Sequence, residues 1–202
     1  MLDSFLAAGV ALATPILLAA LGELLVERTG VLNIGLEGFL LVGAFAAALA
    51  AQATQSPGAG VAAGAAAGAA FAAFFALAVV GFAADQIIVG AAVNLLALGT
   101  TGALYRGVYG QTGAALVLPT LETIPLPLLA DLPLLGRAVF SQNALVYVGL
   151  AATGAIAVVL RRTGLGLRLH ALGDHPLSVV SLGVSVRLYR AMTLILAGAL
   201  AG

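Results

Sequence analysis

Apolar runs of about 20 residues recur along the whole chain, separated by short clusters of Gly, Pro and charged residues. As helix, each run is long enough to cross the ~30 Å hydrocarbon core of a bilayer. The pattern predicts spans near Phe5–Leu25, Glu37–Ala53, Gly60–Phe82, Gln86–Tyr105 and Asn143–Leu160, with another beginning near Arg190. Ser56-Pro57-Gly58 marks the joint between the second and third spans. Pro119, Pro125, Pro127 and Pro133 make 106–142 a non-helical stretch. Pro15 is expected to kink the first helix. Gly60, Gly64 and Gly68 share one helical face, a spacing that lets two backbones approach closely; alanine-rich filler is the alternative reading.

Composition supports a single all-α, polytopic transmembrane helix bundle over 1–202. Hydrophobic residues make up 62% of the 202 and charged ones 8%, with a mean hydropathy of +1.17, so no soluble domain separates the runs. The first run follows Asp3 and no basic segment, which favours a retained span over a cleaved signal peptide. A net charge of zero gives no pointer to nucleic acid. Without cysteine the chain has no thiol chemistry and no cysteine–metal site.

Charge sets the expected orientation. Arg161, Arg162, Arg168, Arg187 and Arg190 lie in one loop, 161–190, against a single acid, Asp174, and the positive-inside tendency makes that loop cytoplasmic. Alternating back places 106–142 outside, 83–86 inside, 52–59 outside, and 27–33 inside with Arg28. A second segment that re-entered instead of crossing would reverse everything before it. The last apolar run stops a dozen residues past Arg190, too short for a span, so the chain reads as the N-terminal part of a longer one.

The missing chemistry narrows function. All eight basic residues are Arg, so a lysine-bearing phosphate loop of the GxxxxGK[ST] kind is absent. No HExxH or GxSxG occurs, and the two histidines, His170 and His175, both fall in the basic loop. A paired-aspartate hydrolase would need a partner for Asp85. The chain therefore reads as a non-enzyme with no metal site.

Two regions carry information. In GELLVERTGVLNIGLEG, Glu23 and Glu27 lie on one helix face near the cytoplasmic boundary, where water reaches them. Asn33 and Glu37 open the next apolar helix: Asn33 is placed to cap it, Gly30 and Gly35 to break the backbone, and Glu37 to favour the dipole. A broken helix with polar groups at its end suits a transport route; a tight capped turn is the alternative. Gln86 and Asn94, polar groups of the fourth span, join Asn33 and Glu37 as candidates for that route. In the second region, RRTGLGLRLHALGDHPLSVVSLGVS, Asp174 is placed as N-cap, Pro176 in the first turn and Gly183 as stop of a short helix. Leu177, Val180 and Val184 give it an apolar face. So short a helix does not persist alone in water, and either the membrane or bundle covers it or a cytoplasmic partner does.

GELLVERTGVLNIGLEGFLLVGA together with TGLGLRLHALGDHPLSVVSLGVSV resembles the membrane-spanning permease subunits of bacterial ABC importers, in the branch for branched-chain amino acids, simple sugars and nucleosides. VLNIGLEG is most similar to the nucleoside and simple-sugar group. The resemblance implies a multi-pass inner-membrane permease that binds no cofactor itself, ATP being used by separate cytoplasmic ATP-binding subunits. It further implies a second permease subunit, as homo- or heterodimer, and an extracytoplasmic solute-binding protein. It makes Gly173, Asp174, Pro176, Leu177, Val180 and Gly183 the segment that couples to the ATPase. The chain departs from the family in having His175 where Asn is usual, and Ser178-Val179 where paired alanines are common. A secondary transporter or channel using Asp85 or Glu37, and a structural scaffold, are the competing readings.

Overall fold

The computed structural model describes residues 2–110, 117–127, 136 and 139–202. Parts of the expected outer loop 106–142, including Asp131, Pro133 and Arg137, lie outside the described residues. Four long helices come first: α1 (Leu2–Glu27), α2 (Leu36–Thr54), α3 (Pro57–Ala76) and α4 (Gln86–Tyr109). One π-helical stretch, Leu77–Gly81, extends α3. The short strands β1 (Thr123–Pro125) and β2 (Ser141–Asn143) pair antiparallel and lead into α5 (Ala144–Arg162). Then follow α6 (Gly164–Asp174), α7 (Pro176–Ser181) and α8 (Val186–Ala201). Five of these segments are long and apolar enough to cross a membrane, and they match the five expected runs. The β-ribbon was not expected from sequence, and α1 runs unbroken through Pro15.

The last apolar run, read from sequence as an unfinished span, is the middle of the bundle. α8 packs against α3, α1 and α2. Small residues make this possible. A Cβ at Gly22 would sit 2.8 Å from the Ala197 Cα, and one at Gly68 would collide with the Gly198 carbonyl oxygen. Gly60 meets Ala47 and Ala51 of α2, so the Gly60/Gly64/Gly68 face is a packing surface for both neighbours. Around it Val26, Phe39, Phe75, Val93, Leu194 and Ala197 form the main apolar core, with Phe39 edge-on to Phe71 and Phe75. Buried aromatic edges fill what the small residues leave open.

Polar contacts define the two ends. Tyr109 donates to the Gln52 Oε1 at 2.7 Å, joining the far ends of α4 and α2, and the Gln142 side chain donates to the Ala7 carbonyl at 3.1 Å. At the opposite end lie the α1–α2 loop, the start of α4, and α6 with α7. The start of α2 thus lies beside the start of α4 and its end beside the end of α4, so α2 runs the full length of the bundle. Its 19 residues span about 28 Å.

Candidate functional site

The loop 28–35 leaves α1 and runs into the bundle as irregular backbone before α2 begins. Irregular backbone at this depth needs its N–H and C=O groups matched by protein or water. Side chains from α1 and α4 supply the matches. Leu32 N–H donates to the Gln86 Oε1 at 2.7 Å. Asn33 donates twice to the Glu23 carboxylate, from its backbone N–H at 3.2 Å and from Nδ2 at 2.9 Å. Asn94 answers the start of α2 with both ends of its amide: Nδ2 donates to the Ile34 carbonyl at 2.9 Å, and Oδ1 accepts from Gly38 N–H at 2.8 Å. Asn94 is eight residues into α4, so this clamp lies about 12 Å along that helix from Gln86. The close approach is set by Gly90, where a Cβ would lie 2.8 Å from the Ile34 Cβ.

These contacts reassign several sequence-predicted roles. Asn33 does not cap α2; Gly35 holds the N-cap position without a side-chain bond, and the Asn33 amide is drawn to α1 by the carboxylate. Glu23 is no water-facing acid but the acceptor that holds the loop. Asn33, Gln86 and Asn94 come together around one loop. Glu37 stands apart from them, exposed on the first turn of α2 with no hydrogen-bond partner among the described residues. Asn33 Oδ1 is buried without a partner. Asp85 caps α4, its Oδ1 accepting from Ile87 and Ile88 N–H at 2.8 and 3.1 Å, a complete structural role.

The outer wall of the same end is the α6–α7 hairpin. Thr163 caps α6, accepting from Gly166 N–H at 3.3 Å. That helix runs on to Asp174, so Asp174 closes α6 instead of opening α7; His175 precedes Pro176 and no side chain caps α7. Gly183 does end α7: it lies at φ +77°, with Gly183 N–H donating to the Val180 carbonyl at 2.9 Å and Val184 N–H to the Val179 carbonyl at 3.3 Å. This paired closure needs a left-handed residue, and glycine adopts it at no steric cost. Val179 turns inward to Leu169, Leu172 and Leu25. Leu177, Val180 and Leu182 point the other way, 86%, 55% and 81% exposed.

Two further contacts carry no local sequence signal. Arg190 Nε donates to the Thr29 carbonyl at 3.0 Å, and Gly173 lies against the backbone of Arg28. At the other end a cavity of about 620 Å³ opens among α1, α2, α3, α5, the end of α8 and the segment 118–121. Its lining is mostly Ala, Gly, Leu and Pro, with Thr14, Thr120 and Asn143 as its polar side chains; Thr14 and Asn143 bond to their own helix.

Comparison with known proteins gives the class. Residues 5–202 match the family model described as branched-chain amino acid transport system / permease component. The chain belongs to this family of multi-pass membrane permease components. It is 32% identical over 199 residues to the guanosine ABC transporter permease protein NupQ of Bacillus subtilis, covering 94% of this chain and 62% of that protein. It is 36% identical over 195 residues to the putative glucose ABC transporter permease protein TsgC13 of Haloferax volcanii, covering 96% and 59%. It is 30% identical over 196 residues to the nucleoside ABC transporter permease protein NupC of Lactococcus lactis, covering 94% and 62%. The chain therefore spans about three fifths of the length of the relatives it matches. No solved structure matches it.

Proposed function

We propose that the chain forms the helical core of a permease subunit in an ATP-driven importer, passing a nucleoside or simple sugar across the plasma membrane. A separate ATPase supplies the energy, consistent with a sequence that contains no lysine. The reading is carried by one observation: α7, only six residues long, turns Val179 into the bundle and presents Leu177 and Val180 outward, with Leu182 exposed just past its end. An apolar face of that size on a helix too short to stand alone suits a protein groove. Its position beside five Arg favours the cytoplasmic side, where ATPase subunits reside. A second permease subunit and an extracytoplasmic solute-binding protein complete the assembly, which works by alternating access.

Nucleoside and sugar names among the relatives favour those solutes over branched-chain amino acids. Glu37 is the candidate solute-route residue with an unengaged side chain, whereas Asn33, Gln86 and Asn94 shape the wall behind it. The test is co-expression with the ATPase subunit. Leu177→Asp with Val180→Asp should abolish copurification while leaving the permease folded and in the membrane. Full copurification by that double variant would refute docking through α7.

A further inference from the structure

We infer that the turn Arg28–Gly30 is a mechanical relay, taking displacement of the α6–α7 hairpin through the backbone of Gly173 and passing it to the start of α2. The inference rests on the reading of that hairpin as the ATPase contact. It gives Gly173 an internal positioning role, distinct from the docking face of α7.

The contact is backbone against backbone. A Cβ at Gly173 would lie 2.7 Å from the Arg28 carbonyl oxygen and 3.5 Å from the Gly30 nitrogen. A Cβ at Gly30 would in turn lie 3.4 Å from the Gly173 Cα, and Gly30 holds φ +76°. The Arg190 guanidinium flanks the contact, its Nη2 3.3 Å from the same Gly30 Cβ position, but at Gly173 the nearest atoms are backbone. Close-packed elements respond to displacement by moving together, not by deforming. The turn itself is firmly held: Thr29 is wholly buried, its hydroxyl donates to the Val26 carbonyl at 2.7 Å, and its own carbonyl receives Arg190 Nε from the central helix α8.

Beyond the turn, three consecutive residues and the first turn of α2 are pinned. Leu32 is tied to Gln86, Asn33 to Glu23, and Ile34 and Gly38 to Asn94. Glu37 rides on the first turn of α2, next to Gly38. A shift of the hairpin therefore reaches the exposed carboxylate through about ten residues of braced chain, while the apolar face of α7 need not change.

The test uses the permease assembled with its co-expressed ATPase and solute-binding protein. Gly173→Ala forces α6 off the turn, and Arg190→Gln weakens the turn from the other side. Arg190→Lys keeps a donor for the Thr29 carbonyl. The native absence of cysteine lets Glu37→Cys report, by its rate of thiol labelling with and without trapped nucleotide. The relay predicts full copurification of the ATPase and a fall of about 2- to 30-fold in solute-stimulated hydrolysis for both Gly173→Ala and Arg190→Gln. It also predicts loss of the nucleotide-dependent change in Glu37→Cys labelling, and recovery in Arg190→Lys. Unchanged stimulation and labelling in both variants would overturn it. Copurification lost in step with stimulation would also overturn it, by making Gly173 part of the docking surface, while leaving the proposed function standing. An ATPase that does not copurify even with the unaltered chain overturns the proposed function and the relay together.

Discussion

Asn94 holds Gly38 and Ile34 at once, its carbonyl oxygen 2.8 Å from the Gly38 nitrogen and its amide nitrogen 2.9 Å from the Ile34 oxygen. One side chain on α4 thereby fixes both where the α1–α2 loop ends and where α2 starts. Replacing it with Ala takes the donor from the Ile34 carbonyl and leaves the Gly38 N–H with only the Gly35 carbonyl, 3.0 Å away, a combined cost of about 1–3 kcal/mol. Asn94→Ala should lower the thermal midpoint in detergent with little change in helix content by circular dichroism. An unchanged midpoint would mean that the loop finds other partners.

The Glu23–Asn33 pair predicts an unequal response to two substitutions. Glu23→Gln keeps one acceptor and adds a donor, and the Asn33 amide can turn its unpartnered Oδ1 towards that donor. Glu23→Ala removes both acceptors and leaves the Asn33 N–H without a partner. Thermal melts should place Glu23→Gln near the parent and Glu23→Ala lower by about 1–3 kcal/mol. Equal losses would show that the negative charge, and not the hydrogen bonds, holds the loop.

At the hairpin, the two residues flanking α7 should differ. Asp174 does not cap the helix, so Asp174→Ala should leave ATPase copurification unchanged. Gly183→Ala forces a Cβ into the left-handed region at about 1–2 kcal/mol, and Gly183→Val should cost more. Copurification should fall in the order Ala then Val at position 183. A loss with Asp174→Ala equal to that with Gly183→Val would restore Asp174 as the element that shapes α7.

Packing around α8 gives a further test. Gly68 and Gly198 let α3 and α8 touch backbone to backbone, so Gly68→Leu must push the two helices apart. Overpacking of this kind costs about 1–3 kcal/mol or more and should cut the folded yield in membranes. Gly99, where an added Cβ would meet no atom within 4 Å among the described residues, should accept the same change without loss.

The membrane-length helices were legible because each is an apolar run with Pro, Gly or charge at its joints, whereas α6, with Arg168 and His170 inside it, was not expected. The Gly60/Gly64/Gly68 face was legible for the same reason: its spacing is local. Roles that depend on remote partners were not. Glu23 looks like a boundary acid until Asn33 folds back against it, and Arg190 looks like a topology signal until Thr29 is beside it. Asp174 before Pro176 has the form of a cap, yet Thr163 starts a helix eleven residues earlier that absorbs it. Leu177 and Val180 follow helical spacing, but spacing cannot say that Val179 would be the residue turned inward.

The energy-supplying subunit should touch α7 directly. A photo-crosslinking residue placed singly at Leu177, Val180 or Leu182, in the permease co-expressed with its ATPase, should yield a crosslinked permease–ATPase band. The same residue at buried Val179, or at Thr123 on the opposite end, should yield none. Crosslinks to lipid alone at Leu177, Val180 and Leu182, with no ATPase adduct, would contradict the claim that this face docks the energy-supplying subunit.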